Sequence, residues 1–153
     1  MTIVDLPDEK ATATLAVRLA AIAAPGDVLA LSGELGAGKT SFARAFINAR
    51  GGGEAVPSPT FTLVQVYDLP GGAVWHFDLY RLRHAEEIWE LGIEDAIYEG
   101  ISLIEWPERM EGLLPAGRLG IALAYGATPT ARRATLTAGR DWAVRLAEIG
   151  VAA

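Results

Sequence analysis

Residues 28 to 41 read VLALSGELGAGKTS, and the order of residue types in this stretch decides how the chain folds. Val28 to Leu31 is an apolar run of the length that makes a short buried strand. A glycine-studded turn follows and opens directly onto the helical pattern SFARAFINAR. Gly33, Gly38, Lys39 and Thr40 stand at the spacing G-x-x-x-x-G-K-[ST], with Gly36 as an extra glycine inside it. This is the P-loop signature in the strand-to-helix context it requires. Glycines let the backbone enter left-handed conformations that penalise other residues, so successive N–H groups can turn inward on phosphate oxygens. The following helix directs its positive end at the same point. Leu35, Gly36, Ala37 and Gly38, with Lys39, Thr40 and Ser41, are therefore the expected phosphate cradle. Lys39 is placed to reach the β- and γ-phosphates, and the Thr40 hydroxyl to ligate Mg²⁺.

Composition narrows the setting of this motif. The chain has 153 residues, 51% hydrophobic and 21% charged, which is one ordinary domain with a real core; a single domain over 1–153 is expected. There are no cysteines, so disulfide and thiolate chemistry are excluded. The N-terminal MTIVDLPDEK carries acids where a signal peptide would place positive charge, and no apolar run approaches membrane-spanning length. The expectation is a cytoplasmic protein without membrane contact. Net charge is −6, and Lys10 and Lys39 are the only lysines, which leaves little basic footprint for holding nucleic acid directly.

Outward from the motif, residues 1 to 6 suit an edge strand. Pro7 to Ala24 suits an amphipathic helix with Leu15, Leu19 and Ile22 on one side, stopped by Pro25-Gly26-Asp27. The P-loop helix, with Phe42, Phe46 and Ile47 inward, ends at Gly51-Gly52-Gly53. A strand up to Tyr67 turns at Pro70-Gly71-Gly72 into a second over Ala73 to Asp78. HAEEIWELGIEDAIYEG reads as two short helices broken at Gly92. Ile101 to Ile104 is a run of the kind that fills the middle of a parallel sheet. A loop or short helix from Pro107 to about Pro115, strands at 118–125 and 132–136, and a helix at 142–149 complete the chain. The pattern predicts an α/β fold, a P-loop NTPase-like three-layer sandwich on a mixed, largely parallel sheet.

A P-loop needs an acid at the end of an apolar strand to serve the metal, and two positions offer one. Glu105 closes ISLIE and is assigned to the metal or its water. Asp78 closes VWHFD and is assigned to the metal's outer shell or to polarising the attacking water. Pro57-Ser58-Pro59-Thr60 lies where nucleotide hydrolases carry a switch segment, and its hydroxyls, Thr60 above all, could sense γ-phosphate and Mg²⁺. His76 and His84 lack metal-pair spacing and read as packed or surface histidines. Glu86, Glu87, Glu90, Glu94, Asp95 and Glu99 read as a solvated face, with Trp89 among them either core or a docking aromatic. No [NT]-K-x-D guanine motif can be built without a lysine beyond Lys39, so ATP is the expected nucleotide.

GELGAGKTSF, SPTFTLV, HFDLYRL, ELGIEDAI and IEWPE, in that order and spacing, resemble the TsaE family, formerly called YjeE, bacterial ATPases of the tRNA threonylcarbamoyladenosine pathway. The likeness runs from about Leu6 to Leu136. It implies an ATPase that works with TsaB and TsaD, which transfer a threonylcarbamoyl group to an adenosine beside the anticodon, and that touches tRNA only through that complex. It also implies that ATP turnover sustains repeated cycles. By the resemblance, Lys39 and Thr40 match the family's phosphate lysine and magnesium-ligating threonine. Thr60 matches the switch threonine, Asp78 the acid of H-x-D-[LV]-Y-R, and Glu105 the second magnesium ligand. Trp106 matches a functionally important tryptophan. Glu9, in LPDEKAT, matches an acid near the nucleotide, and Arg132 an arginine on a late strand. Two other readings of the P-loop are a small-molecule kinase and a nucleotide-binding adaptor that only switches conformation. The chain after about Gly139 carries no family signal and reads as structural.

Overall fold

The computed structural model describes residues 1–52 and 63–151. Seven strands form one sheet: β1 (Thr2–Leu6), β2 (Val28–Gly33), β3 (Val64–Tyr67), β4 (Val74–Asp78), β5 (Ile101–Glu105), β6 (Leu119–Tyr125) and β7 (Arg132–Ala138), in the spatial order β1-β7-β6-β2-β5-β4-β3. The four central strands, β6, β2, β5 and β4, pair in parallel. β7 and β3 run the other way, and β1 pairs antiparallel to β7, so five of the seven strands share one direction. The sheet is mixed and mostly parallel, as expected from the sequence.

Helices cover it on both sides. α1 (Glu9–Ile22) and α2 (Lys39–Ala49) pack with α4 (Arg140–Glu148) on one face, over Leu29 and Leu31 of β2 and Leu103 of β5. On the other face α3 (Ile93–Glu99) and two 3₁₀ stretches, Ala85–Leu91 and Pro107–Leu113, pack over Val28, Phe77 and Ile104. The division follows from period-two alternation along each strand: on β2, Val28 turns to one layer and Leu29 to the other. Phe42, Phe46 and Ile47 of α2 are wholly buried, each worth about 1.5–3 kcal/mol of apolar burial.

Local chemistry sets the boundaries. Asp8 caps α1 by accepting from the Ala11 N–H at 2.8 Å. Gly92, at φ 85°, ends the first 3₁₀ stretch and starts α3, the break read from the sequence. α4 buries Trp142 and Leu146, and Arg145 fastens it to Asp27 through two hydrogen bonds of 2.6 and 2.9 Å. β2, β4 and β5, three adjacent parallel strands, end at Gly33, Asp78 and Glu105, all at one edge of the sheet. Ligands of open α/β sheets bind outside that edge.

Candidate functional site

At this edge β2 runs into the glycine loop and α2. Gly33 has φ 142°, and a Cβ there would stand 2.3 Å from the Leu123 carbonyl oxygen on β6, so the turn has no room for a side chain. Gly38 caps α2 at φ 107° with no side-chain cap, and a Cβ on it would meet open space. The first N–H groups of α2 have no helical acceptor, so the helix start is left for an anion.

The loop fronts a cleft of about 360 Å³ that brings together Leu35, Gly36, Gly38, Lys39, Thr40, Ser41, Asp78, Glu105 and Trp106, all expected from the sequence. Ala37 is the exception: its side chain is buried in the core beneath the loop, so only its backbone belongs to the cradle. Lys39 is 4% exposed. Its Nζ donates to the carbonyls of Gly33 at 2.6 Å and Glu34 at 2.9 Å, and lies 4.2 Å from the centre of the Trp106 ring. Burial pulls its pKa below the usual lysine value, against the opposing pull of the Glu105, Glu108 and Asp78 carboxylates.

Asp78 and Glu105 stand opposite each other in the β4–β5 register, both on the face that carries α2. The Thr40 hydroxyl donates to Glu105 Oε1 at 2.8 Å, and Glu105 Oε2 is 2.6 Å from His76 Nε2. Asp78 Oδ1 accepts the Tyr80 N–H at 3.2 Å. Burial raises the Asp78 pKa; the Tyr80 N–H opposes this and the neighbouring Glu105 adds to it. Trp106 follows β5 in the left-handed region, φ 60° and ψ 51°, directly before Pro107. A residue before proline is disfavoured in helical conformations, so the backbone holds a strained turn that delivers the indole to Lys39. Tyr80 lies on that indole with ring centroids 4.9 Å apart.

A second hollow, of about 260 Å³, adjoins the loop and is lined by Glu9, Gly36, Gly38, Ser41, Thr130 and Arg132 among others. Both outlying expectations, Glu9 and Arg132, therefore reach the P-loop's flank. Arg132 braces the loop itself: its guanidinium donates to the carbonyls of Ala37 at 3.2 Å and Gly36 at 3.3 Å, and sits 4.7 Å above the Tyr125 ring. Tyr125 in turn donates to the Leu35 carbonyl at 2.6 Å. Gly36 stands at φ 83°, a conformation that favours glycine, and a Cβ there would also stand 2.8 Å from that hydroxyl.

Thr60, with Pro57, Ser58 and Pro59, lies outside the described residues. Among the described residues no group of three or more His, Cys, Asp or Glu side chains could hold a metal by itself. The Thr40–Glu105 pair nevertheless suits Mg²⁺ bound in company with phosphate. Mg²⁺ takes one or two oxygen ligands from protein and completes its shell with phosphate and water, and here a hydroxyl and a carboxylate converge beside the helix start. The sequence alone does not single out Tyr80, Tyr125 or the link from His76 to Glu105. For His76 a signal existed: it stands two residues before Asp78 on a strand, so both side chains share one face.

A family model described as "Threonylcarbamoyl adenosine biosynthesis protein TsaE" matches residues 6–134. A relative from Rickettsia bellii, named tRNA threonylcarbamoyladenosine biosynthesis protein TsaE, is 41% identical over 119 residues, 77% of this chain and 83% of its own. A Bacillus subtilis protein of the same name is 40% identical over 118 residues, 76% of this chain and 72% of its own. The crystal structure of Bacillus subtilis YdiB superposes with a TM-score of 0.76 at 31% identity, covering 96% of this chain and 92% of that one. No described helix is long and apolar enough to cross a membrane.

Proposed function

The chain belongs to the TsaE family, and on that premise we propose that it is a single-domain, Mg²⁺-dependent ATPase that supports tRNA threonylcarbamoyladenosine biosynthesis in the cytoplasm by acting with TsaB and TsaD. Hydrolysis of ATP resets or switches that complex. The observation that carries the catalytic part is the convergence of Lys39, Asp78 and the hydrogen-bonded Thr40–Glu105 pair on one cleft at the start of α2.

Each group has a task that its setting supports. The helix start and the glycine loop receive the phosphates, and Lys39 exchanges the Gly33 and Glu34 carbonyls for phosphate oxygens. Thr40 and Glu105 would hold Mg²⁺, which would supply positive charge to offset that of the phosphates. Asp78, whose burial makes it a stronger proton acceptor than an ordinary carboxylate, orients the attacking water. Trp106 and Tyr80 wall the cleft against solvent. Glu9 and Arg132 flank the hollow that adjoins the loop, which is where the rest of the nucleotide has room. The Ser58 to Thr60 segment reads the γ-phosphate and passes its loss to the partners.

Net charge of −6 supports contact with tRNA through the partners and not by this chain alone. Phosphate release measured with the isolated protein and then with the TsaB and TsaD pair tests the reading. Slow turnover alone and clear stimulation by the pair are expected. Fast turnover indifferent to the pair, or label from γ-phosphate appearing on a metabolite, would replace it with a kinase.

A further inference from the structure

We infer that His76 is the positioning residue of the metal site: its Nε2–H holds one oxygen of Glu105, so that the other is presented to Thr40 and the cation. The inference rests on the Mg²⁺-nucleotide reading above for its consequence, but the tautomer on which it turns can be tested without nucleotide.

His76 is wholly buried and Glu105 is 2% exposed, so neither can be satisfied by bulk water. Their polar atoms must find partners within the protein or bear the cost of burial unpaired. Glu105 Oε1 takes the Thr40 hydroxyl at 2.8 Å, and Oε2 has His76 Nε2 at 2.6 Å. His76 Nδ1 is buried with no hydrogen-bond partner among the described residues.

That asymmetry selects the tautomer. If Glu105 carried the proton and donated to Nε2, the ring hydrogen would lie on Nδ1, a buried donor with nothing to accept it. With the hydrogen on Nε2, the ring donates to the carboxylate and leaves only a lone pair unmatched on Nδ1, the cheaper defect because an unpaired donor is the rarer and costlier case in proteins. The ring therefore donates through Nε2–H to Glu105 Oε2.

The sheet explains why a histidine can do this. His76 pairs with Leu103 in the β4–β5 register, so Glu105 is its diagonal neighbour two residues on, within reach of a long side chain on the same face. The ring thus holds one carboxylate oxygen from β4 while the other meets Thr40 at the cleft. A carboxylate held by one oxygen cannot turn to bind bidentately or swing toward Lys39. Outer partners that hold a ligand in this way typically change metal affinity about 10–100-fold when removed.

Two measurements test the role. The chain has only two histidines, so ¹⁵N–¹H correlation across the imidazole rings of the nucleotide-free protein resolves His76, with a His84→Gln variant to assign it. Protonated Nε2 and bare Nδ1 are expected; a hydrogen on Nδ1 would overturn the inference. Nucleotide affinity is then titrated against Mg²⁺ in His76→Leu and in His76→Gln, whose amide keeps a donor near the Nε2 position. His76→Leu should need about tenfold or more Mg²⁺ for the same effect, with affinity in chelator unchanged, and His76→Gln should recover most of it. Wild-type Mg²⁺ dependence in a folded His76→Leu, or equal loss in both variants, would overturn the role. If wild-type protein itself shows no Mg²⁺-dependent nucleotide binding, it is the ATPase reading that falls. Should His76→Leu not fold, the ring tautomer and the Gln variant still decide.

Discussion

Thr40 and Glu105, 65 residues apart in the chain, share a hydrogen bond of 2.8 Å that joins the first turn of α2 to the tip of β5. The contact exists because β2 and β5 are adjacent parallel strands: the loop leaving one and the acid ending the other meet at the same edge. Both oxygens suit a hard cation, and here the hydroxyl donates to the carboxylate. Thr40→Ala and Glu105→Ala should each remove most of the Mg²⁺-dependent gain in nucleotide affinity, about tenfold or more, while sparing affinity in chelator. Calorimetric titrations with and without Mg²⁺ check this. If Asp78→Ala abolishes the metal dependence and Glu105→Ala does not, the roles of the two acids are reversed.

Lys39 is held by the Gly33 and Glu34 carbonyls. Lys39→Ala should lower ATP affinity about tenfold or more, roughly 1.4 kcal/mol for each factor of ten. Unchanged affinity and hydrolysis in that variant would leave the P-loop without a function.

Nucleotide binding should also move Lys39 away from the Trp106 ring, 4.2 Å below it. Tryptophan emission should therefore change on binding in the wild type and change much less in Trp106→Phe, with Trp75, Trp89 and Trp142 as a constant background. A fluorescence titration of both proteins reads the difference.

Burial sets Asp78 against the stability of the fold. Its native pKa lies above the unfolded value near 3.8, so the native state binds more protons between those values and stability falls as pH rises through them. Asp78→Asn keeps an acceptor for the Tyr80 N–H and removes the buried charge. It should be more stable than wild type at pH 7, with the advantage fading as pH falls toward 3.8. Turnover should fall while nucleotide binding persists. Denaturant melts across pH, beside phosphate release, test both halves.

The segment after Gly139 should act on the fold alone. Arg145 holds Asp27 by two hydrogen bonds and lies 3.8 Å from the centre of the Trp142 ring. Arg145→Met should cost about 1.5–3 kcal/mol of stability with nucleotide affinity unchanged, as read by denaturant melts and calorimetry.

The layers and the cleft were legible because they rest on local patterns. VLALSGELGAGKTS names strand, loop and helix in one stretch, and ISLIE and VWHFD each end in an acid that lines the cleft. What escaped were contacts set by register. His76 reads as an ordinary strand residue until β4 is laid beside β5, which makes Glu105 its diagonal neighbour. Tyr125 has no motif; its hydroxyl reaches Leu35 only because β6 ends beside the loop. Arg132 is expected only through the family resemblance, and the place its guanidinium takes against the loop carbonyls of Gly36 and Ala37 follows from the end of β6 and the start of β7 lying beside the loop. A sequence states spacing along the chain, and these three relations are spacings across the sheet.

The central claim is that ATP turnover at this cleft sustains tRNA modification. The most direct test counts threonylcarbamoyladenosine formed per TsaB–TsaD complex, with ATP and with a non-hydrolysable analogue, adding wild-type protein or Lys39→Ala. Many products per complex are expected only with ATP and the wild type, and about one round otherwise. Repeated rounds supported equally by the analogue or by Lys39→Ala would contradict the account.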